Sequence, residues 1–262
     1  MTRRVSVTVP VTRAESARAR MLELFPEGFE EVDHADGIEL VAYTDPSGEE
    51  RIWQAFSGSA TTAAADVAED WEERWRAFHR PVRVGSLWIG QPWQESPADA
   101  VPIVIDPGRA FGTGAHATTR LCLELLEGIE RGSLVDVGCG SGVLAIAAAK
   151  LGFAPVVALD SDEEAVAASQ SNAEANDVEI EVRHADGQTD PLPRADVFVA
   201  NITRAAVEAG GARADCGRLV TSGYLVADEV EIHGFDLAKR VSLDGWAADE
   251  HVRRGGRTNR PE

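Results

Sequence analysis

An aspartate followed by three closely spaced glycines is the feature of this sequence with the clearest chemical meaning. Asp136 interrupts an apolar strand predicted over residues 134–137, and Gly138, Gly140 and Gly142 follow directly. An apolar helix is predicted to begin at the last of these glycines. Glycines let a backbone approach a ligand closely, and a helix N-terminus presents the positive end of its dipole. This arrangement predicts a site for a nucleotide-type cofactor.

The spacing of the glycines distinguishes between two kinds of cofactor. It is GxGxG here, whereas the turn that holds the pyrophosphate of a dinucleotide is GxGxxG. Asp136 would repel a pyrophosphate, but it suits an ammonium group, through a water molecule or the adjacent backbone. S-adenosylmethionine carries an ammonium group and no phosphate, so it is the predicted cofactor. A nicotinamide-dependent oxidoreductase and a non-catalytic binding module are the alternatives from other classes, and the glycine spacing disfavours the first.

Polar side chains also end or follow three later strands. Asp160 ends the strand predicted over 156–160, where its carboxylate can accept hydrogen bonds from both hydroxyls of a ribose. Asp186 follows the next strand, at a place where an adenine amino group could be met. Asn201 ends the strand over 195–201, and its side-chain carbonyl could orient an acceptor amine. Open α/β sheets bind ligands beyond the carboxyl ends of their strands, so these residues are predicted to share one site.

Strands and helices alternate from residue 100 onward. This alternation predicts right-handed crossovers and a mostly parallel, doubly wound α/β sheet. Two further strands near the end could close the sheet as an antiparallel hairpin. The predicted strands cover 134–137, 156–160, 180–184, 195–201, 218–225, 236–243 and 246–253, and the predicted helices cover 142–152, 163–175 and 203–216.

The N-terminal region predicts a small α+β unit. Residues 5–11 alternate between apolar and polar, as a half-buried strand does. Residues 14–25 predict an amphipathic helix with Thr12 as its N-cap. Two strands over 28–33 and 37–43 follow, joined by a hairpin-like turn.

The segment after this unit has a different composition. Residues 57–65 are small and polar, as in a linker or a helix entry, and Trp71, Trp75 and Phe78 are spaced to share one helix face. Packing between two domains is the favoured interpretation of these aromatics, ahead of a ligand-binding cage. The predicted boundaries are 1–60 for the small α+β domain, 61–100 for a linker with the aromatic-rich helix, 101–255 for the catalytic domain and 256–262 for a frayed tail.

The composition limits the kinds of partner. The chain has 44 acidic and 25 basic residues and a net charge of -19, which disfavours direct nucleic-acid binding and anionic membranes and suits a basic protein partner. The three cysteines show no CxxC pattern, so no metal site is predicted. The sequence shows neither a signal peptide nor an apolar run long enough to span a membrane, so a cytoplasmic location is expected.

A longer motif precedes the glycine turn. Residues 106–119, Asp-Pro-Gly-Arg-Ala-Phe-Gly-Thr-Gly-Ala-His-Ala-Thr-Thr, resemble the DPGxAFGTGxHxTT signature of the PrmA family, the ribosomal protein L11 methyltransferases. Residues 120–126, the turn over 136–142 and residues 199–202 are similar to the same family in the same order. The resemblance extends over residues 69–225.

The resemblance implies a fold, an activity and a set of contacts. It implies a small N-terminal substrate-recognition domain, a linker and a Rossmann-like catalytic domain with the seven-stranded methyltransferase sheet. Members use S-adenosylmethionine to methylate amino groups of a ribosomal protein, namely lysine side chains and an N-terminal amine. The family's cofactor contacts correspond to Thr119, Gly138, Asp160 and Asn201 in this sequence.

The FGTG segment is predicted to be a flexible loop that covers the methionine end of the cofactor. Phe111 and Thr113 are therefore predicted catalytic residues together with Asn201, and Gly112 and His116 are predicted cofactor contacts. His116 could act as a general base, although a structural hydrogen bond from this loop residue is favoured.

Other positions near this segment raise questions of local structure and substrate. Thr118 and Thr119 are candidate caps for a helix over 120–127. The sequence departs from the family pattern at Ala117, where proline is usual, and at residues 203–204, Thr-Arg, where an apolar residue is usual. The second departure lies beside the expected acceptor pocket, so another protein or a small amine is the alternative acceptor.

Overall fold

The computed structural model describes residues 3–25, 29–34, 37–58, 60–66, 80–106 and 114–255. The chain divides into two compact units, Met1–Phe78 and His79–Glu262.

The first unit is a four-stranded antiparallel sheet with helices that share its core. The sheet has the order β2-β3-β1-β4. Residues Val5, Met21, Leu40 and Ile52 are fully buried and belong to one apolar cluster that includes both helices. The elements are β1 (Arg3–Val9), a 3-10 helix (Val11–Arg13), α1 (Ala14–Leu24), β2 (Glu30–His34), β3 (Gly37–Thr44), α2 (Pro46–Phe56) and β4 (Thr61–Asp66).

The predicted strand, helix and hairpin of this unit are present. His34 pairs with Gly37 where β2 and β3 meet, as the predicted turn requires. The prediction of Thr12 as N-cap is wrong, because Thr12 lies inside the 3-10 helix and Arg13 occupies the cap position. The unpredicted helix α2 begins at Asp45, whose Oδ1 accepts hydrogen bonds from the backbone N–H groups of Ser47 and Gly48 at 2.9 Å.

The segment 57–65 differs from its predicted linker or helix entry. It contains most of β4, which pairs with β1 at positions such as Val5 and Ala64. Four of the six residues of β4 are alanine or aspartate, which are depleted in strands, so pairing with β1 contributes much to its conformation. The predicted boundary after residue 60 therefore separates β4 from the sheet to which it is hydrogen-bonded.

The second unit contains the predicted doubly wound sheet. Its seven strands have the order β10-β9-β8-β11-β12-β14-β13, and all neighbours are parallel except those that involve β14. The strand order reverses between β8 and β11, which creates a crevice at their carboxyl ends. The strands are β8 (Leu134–Val137), β9 (Val156–Asp160), β10 (Glu181–His184), β11 (Val197–Asn201), β12 (Arg218–Leu225), β13 (Phe235–Leu243) and β14 (Trp246–Arg253).

Helices cover both faces of this sheet. Leu134 and Val199 face one core, whereas Val135 and Phe198 face a second core on the opposite side of the sheet. Alternate residues of one strand thus serve opposite cores, which explains why these strands are almost continuously apolar. The helices are α3 (Ala117–Glu127), α4 (Val143–Leu151), α5 (Glu163–Ala175) and α6 (Arg204–Gly211).

The predicted element ends agree closely with the structure except at the start of α3, which begins at Ala117 rather than at residue 120, and at the end of α6. The predicted helix over 203–216 ends at Gly211. A Cβ added at Gly211 would lie 2.9 Å from Cγ2 of Ile232, so this position packs too closely for a side chain. Among the described helices none is long and apolar enough to cross a membrane.

A small three-stranded sheet precedes α3 and was not predicted. Its order is β5-β6-β7, with β5 (Val82–Val84), β6 (Leu87–Gly90) and β7 (Val101–Val104). Leu87 and Ile103 are fully buried in the same core as α3 and α4, so residues 80–100 differ from the predicted linker. Strands this short carry too few residues for a period-2 pattern.

Three predictions fall on residues that the structure does not describe. The aromatic face of Trp71, Trp75 and Phe78 lies outside the described residues, as do the FGTG residues 111–113 and the tail 256–262. Trp88, the next aromatic along the chain, is buried in β6.

Candidate cofactor and acceptor site

The glycine turn follows β8 and is hydrogen-bonded to the end of β9. Gly138, Gly140 and Gly142 have φ angles of +73°, +53° and +82°, which L side chains rarely adopt. The N–H groups of Gly138 and Cys139 donate to the carbonyl oxygen of Leu159 at 2.8 and 3.0 Å. The turn is therefore fixed by backbone hydrogen bonds, as its predicted role in cofactor binding requires.

The surroundings of the turn also require glycine. A Cβ at Gly138 would lie 2.4 Å from Cγ2 of Ile202, and a Cβ at Gly142 would lie 2.3 Å from Oγ of Ser169. Ile202 directly follows β11, so the glycine turn and the end of β11 are in contact. The two strand ends on either side of the crevice are thus close together.

Asp136 is a buried carboxyl group beneath the turn. It is 1% exposed, and its Oδ2 accepts a hydrogen bond from the Ala145 N–H at 3.1 Å. The pKa of Asp136 is raised to about 7, mainly by burial and to a smaller extent by the charge of Asp160, while the hydrogen bond from Ala145 opposes the shift. Its Oδ1 is also buried and has no hydrogen-bond partner among the described residues, so one of its acceptor positions is unfilled. The predicted role of Asp136 toward an ammonium group, through a water or the adjacent backbone, stays a prediction.

Asp160 holds the glycine turn through its carboxylate. Its Oδ2 accepts a hydrogen bond from the Gly140 N–H at 2.9 Å, and its Oδ1 accepts one from the Asp162 N–H at 3.0 Å. Each carboxylate oxygen can accept a second hydrogen bond, so these contacts are compatible with the predicted ribose hydroxyls. The carboxylate is thereby oriented before any ligand arrives.

Asp186 stabilises the turn that follows β10. Its Oδ1 accepts a hydrogen bond from the Gln188 N–H at 2.8 Å, and its Oδ2 accepts one from Oγ1 of Thr189 at 3.0 Å. The bond from the Gln188 backbone is the main reason why the pKa of Asp186 is lowered, so the group is ionised at neutral pH. Its contact with an adenine amino group stays a prediction.

Asn201 and Thr119 meet at the carboxyl end of β11. The Nδ2 of Asn201 donates a hydrogen bond to Oγ1 of Thr119 at 3.3 Å, although the two residues are 82 positions apart. Thr119 is 2% exposed in the first turn of α3, and Asn201 is half-buried at the end of β11. Two residues that the family resemblance singles out are therefore in direct contact, and Oδ1 of Asn201 remains as an acceptor.

His116 is the N-cap of α3. Its Nδ1 accepts a hydrogen bond from the Thr118 N–H at 3.4 Å and lies 2.7 Å from Oγ1 of Thr118. The ring packs edge-on against Trp246 with centroids 5.0 Å apart, and partial burial lowers the pKa of His116. The structural hydrogen bond predicted for His116 is present, whereas its cofactor contact stays a prediction. Thr118 and Thr119 are not caps, because both lie inside the helix.

Arg204 does not present an unpaired charge to the crevice. Its Nε lies 3.1 Å from Oε1 of Glu208, and its Nη1 lies 3.3 Å from Oδ1 of Asp228. These carboxylates balance its charge at the start of α6.

The close approach of β12 to the end of β11 requires glycine at position 223. Gly223 has a φ of +104°, and a Cβ there would lie 1.8 Å from the Ile202 carbonyl oxygen.

Sequence reasoning missed Asn172, which lies behind the turn on α5. Its Nδ2 donates a hydrogen bond to the carbonyl oxygen of Ser141 at 2.9 Å, within the glycine turn. The signal that could have identified it is the pair of asparagines, Asn172 and Asn176, spaced by one helical turn in an alanine-rich helix.

The sheet order and the glycine turn define the class of protein. A seven-stranded sheet of this order, with acidic residues at the ends of β8 and β9, is the Rossmann-like fold of methyltransferases. The chain belongs to the family described as ribosomal protein L11 methyltransferase (PrmA), whose model matches residues 13–253.

Individual relatives agree with this membership. The chain is 44% identical over 193 residues to the ribosomal protein L11 methyltransferase of Neisseria meningitidis serogroup A, an alignment that covers 68% of this chain and 65% of the relative. It is 42% identical over 202 residues to that of Azotobacter vinelandii, covering 71% and 69%. The match to the crystal structure of the ribosomal protein L11 methylase of Lactobacillus delbrueckii subsp. bulgaricus covers 67% of this chain and 99% of the chain in that structure. It has a TM-score of 0.60 and 27% sequence identity. The chain thus spans slightly less than two thirds of the Neisseria relative's length.

Proposed function

We propose that this protein transfers methyl groups from S-adenosylmethionine to amino groups of ribosomal protein L11, on lysine side chains and an N-terminal amine. The observation that carries the proposal is the hydrogen bond between Asn201 and Thr119 beside the glycine turn. It joins an acceptor-side group to a predicted cofactor contact within a chain of the PrmA family.

The residues around the turn fit S-adenosylmethionine. Asp136 and Asp160 place two carboxyl groups beside the glycines, and Oδ1 of Asp136 is a buried acceptor without a partner among the described residues. Such a site favours a cationic ammonium group and disfavours a pyrophosphate. When bound, S-adenosylmethionine supplies a methyl group on a positively charged sulfur. Asp136 would hold its ammonium group, Asp160 its ribose hydroxyls, and Asp186 its adenine amino group.

Asn201 has the properties needed to orient an acceptor amine. An amine can attack only as the neutral base, and a free lysine side chain has a pKa of about 10.4. The Oδ1 of Asn201 can accept an N–H bond and so direct the nitrogen lone pair, without the full negative charge that would stabilise an ammonium ion. Thr119 and Ser222, which is aligned with Asn201 on β12, are both buried, and such dry surroundings favour the neutral amine.

The first unit has properties that suit recognition of a protein substrate. It has its own apolar core, so it can present a surface independently of the catalytic unit. The net charge of -19 favours a basic partner over nucleic acid or an anionic membrane. We assign substrate recognition to this first unit. We also propose that the protein acts in the cytoplasm.

The substrate is tested by incubating purified L11 with the enzyme and S-adenosylmethionine and measuring its intact mass. The expected result is a shift by whole multiples of a methyl group, located on lysine residues and the N-terminus by peptide mapping. The Asn201→Ala enzyme is the matched control and should give a much smaller shift. If L11 stays unmodified while another protein or a small amine gains the methyl groups, the proposed substrate is wrong and the activity stands.

The cofactor has a separate test. A ligand that binds only the native state raises the melting temperature. S-adenosylhomocysteine should therefore stabilise the protein, and NAD should not. Stabilisation by NAD alone would contradict the proposed chemistry and favour the oxidoreductase.

A further inference from the structure

A stripe of buried polar side chains lies on one face of α5 and the residue that follows it. Ser169, Asn172 and Asn176 are 0%, 4% and 5% exposed and are spaced by three and four residues, so they face the same direction. Burying an amide without hydrogen bonds is costly, and apolar residues would fill this space without that cost. The contacts of the two asparagines therefore indicate what this face does.

Asn172 joins two segments that are distant in the chain. Its Nδ2 donates to the carbonyl oxygen of Ser141 at 2.9 Å, and its Oδ1 accepts from the Asp106 N–H at 3.1 Å. Ser141 stands between Gly140 and Gly142 in the glycine turn. Asp106 is the first residue of the family signature and follows β7. One side chain thus fixes both segments of the catalytic unit.

The bond to Ser141 constrains the turn itself. The carbonyl oxygen of Ser141 and the N–H of Gly142 belong to one peptide plane. The Gly142 N–H donates to the Cys139 carbonyl oxygen at 2.8 Å, and Asn172 holds the opposite side of the same plane. The orientation of this peptide is therefore set from both sides.

Asn176 contacts β7 and the backbone of α5. Its Oδ1 accepts from the Val104 N–H at 2.8 Å, and its Nδ2 donates to the carbonyl oxygens of Val104 at 2.6 Å and Asn172 at 2.7 Å. It is as buried as Asn172 and comparably hydrogen-bonded, but it makes no hydrogen bond to the glycine turn. It is therefore a matched control for the effects of burial and helix packing.

We propose that Asn172 is a positioning residue that sets the glycine turn relative to the start of the signature segment at Asp106, and that cofactor affinity depends on this link. The inference rests on the proposed use of S-adenosylmethionine. Asn172 acts through Ser141 and Asp106 and touches neither substrate.

Two variants separate the contributions of Asn172. Asn172→Ala removes both hydrogen bonds. Asn172→Asp keeps the shape and an acceptor for the Asp106 N–H, but places an oxygen against the Ser141 carbonyl oxygen. When that carboxyl group is protonated at low pH, it can donate to Ser141 again, so the defect of this variant should diminish relative to wild type as the pH falls. A purely packing role would not produce such a recovery.

The experiment is calorimetric titration of the full chain with S-adenosylhomocysteine, together with melting temperatures for each variant. Both Asn172 variants should weaken binding by roughly tenfold or more, the effect expected for a lost or unsatisfied buried hydrogen bond. Asn176→Ala should lower the melting temperature about as much as Asn172→Ala does. It should leave the dissociation constant of S-adenosylhomocysteine within about twofold of wild type.

The outcomes distinguish this inference from the proposed function. If Asn172→Asp binds as tightly as wild type, or if Asn176→Ala weakens binding equally, the positioning role is wrong. If Asn172→Ala fails to fold, the pH series of the isosteric Asp variant decides. If wild type itself does not bind S-adenosylhomocysteine, the proposed cofactor is wrong and this inference falls with it.

Discussion

The two sides of the crevice in the catalytic unit use different chemistry. On the side of β8 and β9, carboxyl groups dominate, and Asp136 and Asp160 accept hydrogen bonds from backbone N–H groups. On the side of β11, the polar groups are neutral, as in the contact between Asn201 and Thr119. We infer that charge is used where a cation must be held, and that neutrality is used where an amine must lose its proton.

Removing the carboxylate of Asp160 should have the largest effect. Asp160→Ala deletes the predicted ribose contacts and also the acceptor for the Gly140 N–H, so the turn itself is loosened. We expect cofactor affinity to fall by roughly 100-fold, the order associated with hydrogen bonds to a charged group. Calorimetric titration with S-adenosylhomocysteine measures this change.

Asp162→Ala is the control for the Asp160 variant. Asp162 is nearby and caps α5 through the Glu164 N–H, but it is not part of the predicted site. Its loss should lower the melting temperature slightly and leave cofactor affinity unchanged. Wild-type affinity in Asp160→Ala would show that the charged side has been misassigned.

Changing the neutral side should affect turnover more than binding. Asn201→Ala removes the acceptor for the amine, and we expect the maximal rate to fall by about 100-fold, as for other single orienting or stabilising groups. The cofactor dissociation constant should change much less. Initial rates with L11 at saturating cofactor separate these quantities.

Thr119 offers a control within the same hydrogen bond. Thr119→Ser keeps an oxygen for the Asn201 Nδ2 and should retain activity, whereas Thr119→Val removes it and should reproduce part of the Asn201 defect. Equal losses in cofactor affinity and in rate for Asn201→Ala would remove the distinction between the two sides.

The buried carboxyl group predicts a pH dependence. The pKa of Asp136 is raised to about 7, mainly by burial. An acid with a raised pKa in the folded state binds more protons there than in the unfolded state. Its contribution to stability is therefore present at low pH and is lost as the pH rises through 7. Ionised Asp136 is also the form that holds an ammonium group, so cofactor affinity should rise with pH up to about 7, by at most about tenfold per pH unit.

Asp136→Asn tests this assignment. This variant should flatten the dependence of cofactor affinity on pH between about pH 5 and 7, which is the range just below the pKa of Asp136. Its free energy of unfolding should exceed that of wild type at alkaline pH, because no buried charge remains. A wild-type affinity profile that does not change with pH would contradict the titration of Asp136 in this range.

The charged residues at the ends of β8 and β9 were largely predictable from the sequence. The side chains that hold the glycine turn in place were not. The spacing of residues next to apolar strands is enough to identify Asp136, Asp160 and the glycines. The hydrogen bonds of Asn172 depend on how α5 packs against two distant segments, and no local pattern contains that information. For the same reason β4 was missed, since its strand conformation comes from pairing with β1.

The capping of α3 shows another limit of sequence patterns. Threonine is a common N-cap, and the sequence offered Thr118 and Thr119 for this position. The structure uses the imidazole of His116 instead, which leaves Thr119 inside the helix and available to Asn201. A propensity for caps cannot decide among adjacent candidates, because the packing of the helix sets where it begins.

The smallest expected effect concerns Arg204, where the sequence departs from the family. Its ion pairs with Glu208 and Asp228 are exposed, and exposed pairs contribute little. Arg204→Leu, which replaces the charged side chain with an apolar one, should change the rate with L11 by less than about threefold. Glu208→Gln is the control, because it removes one ion pair and keeps the arginine. A larger loss in Arg204→Leu alone would show that the arginine contacts the substrate, and that the acceptor side is charged after all.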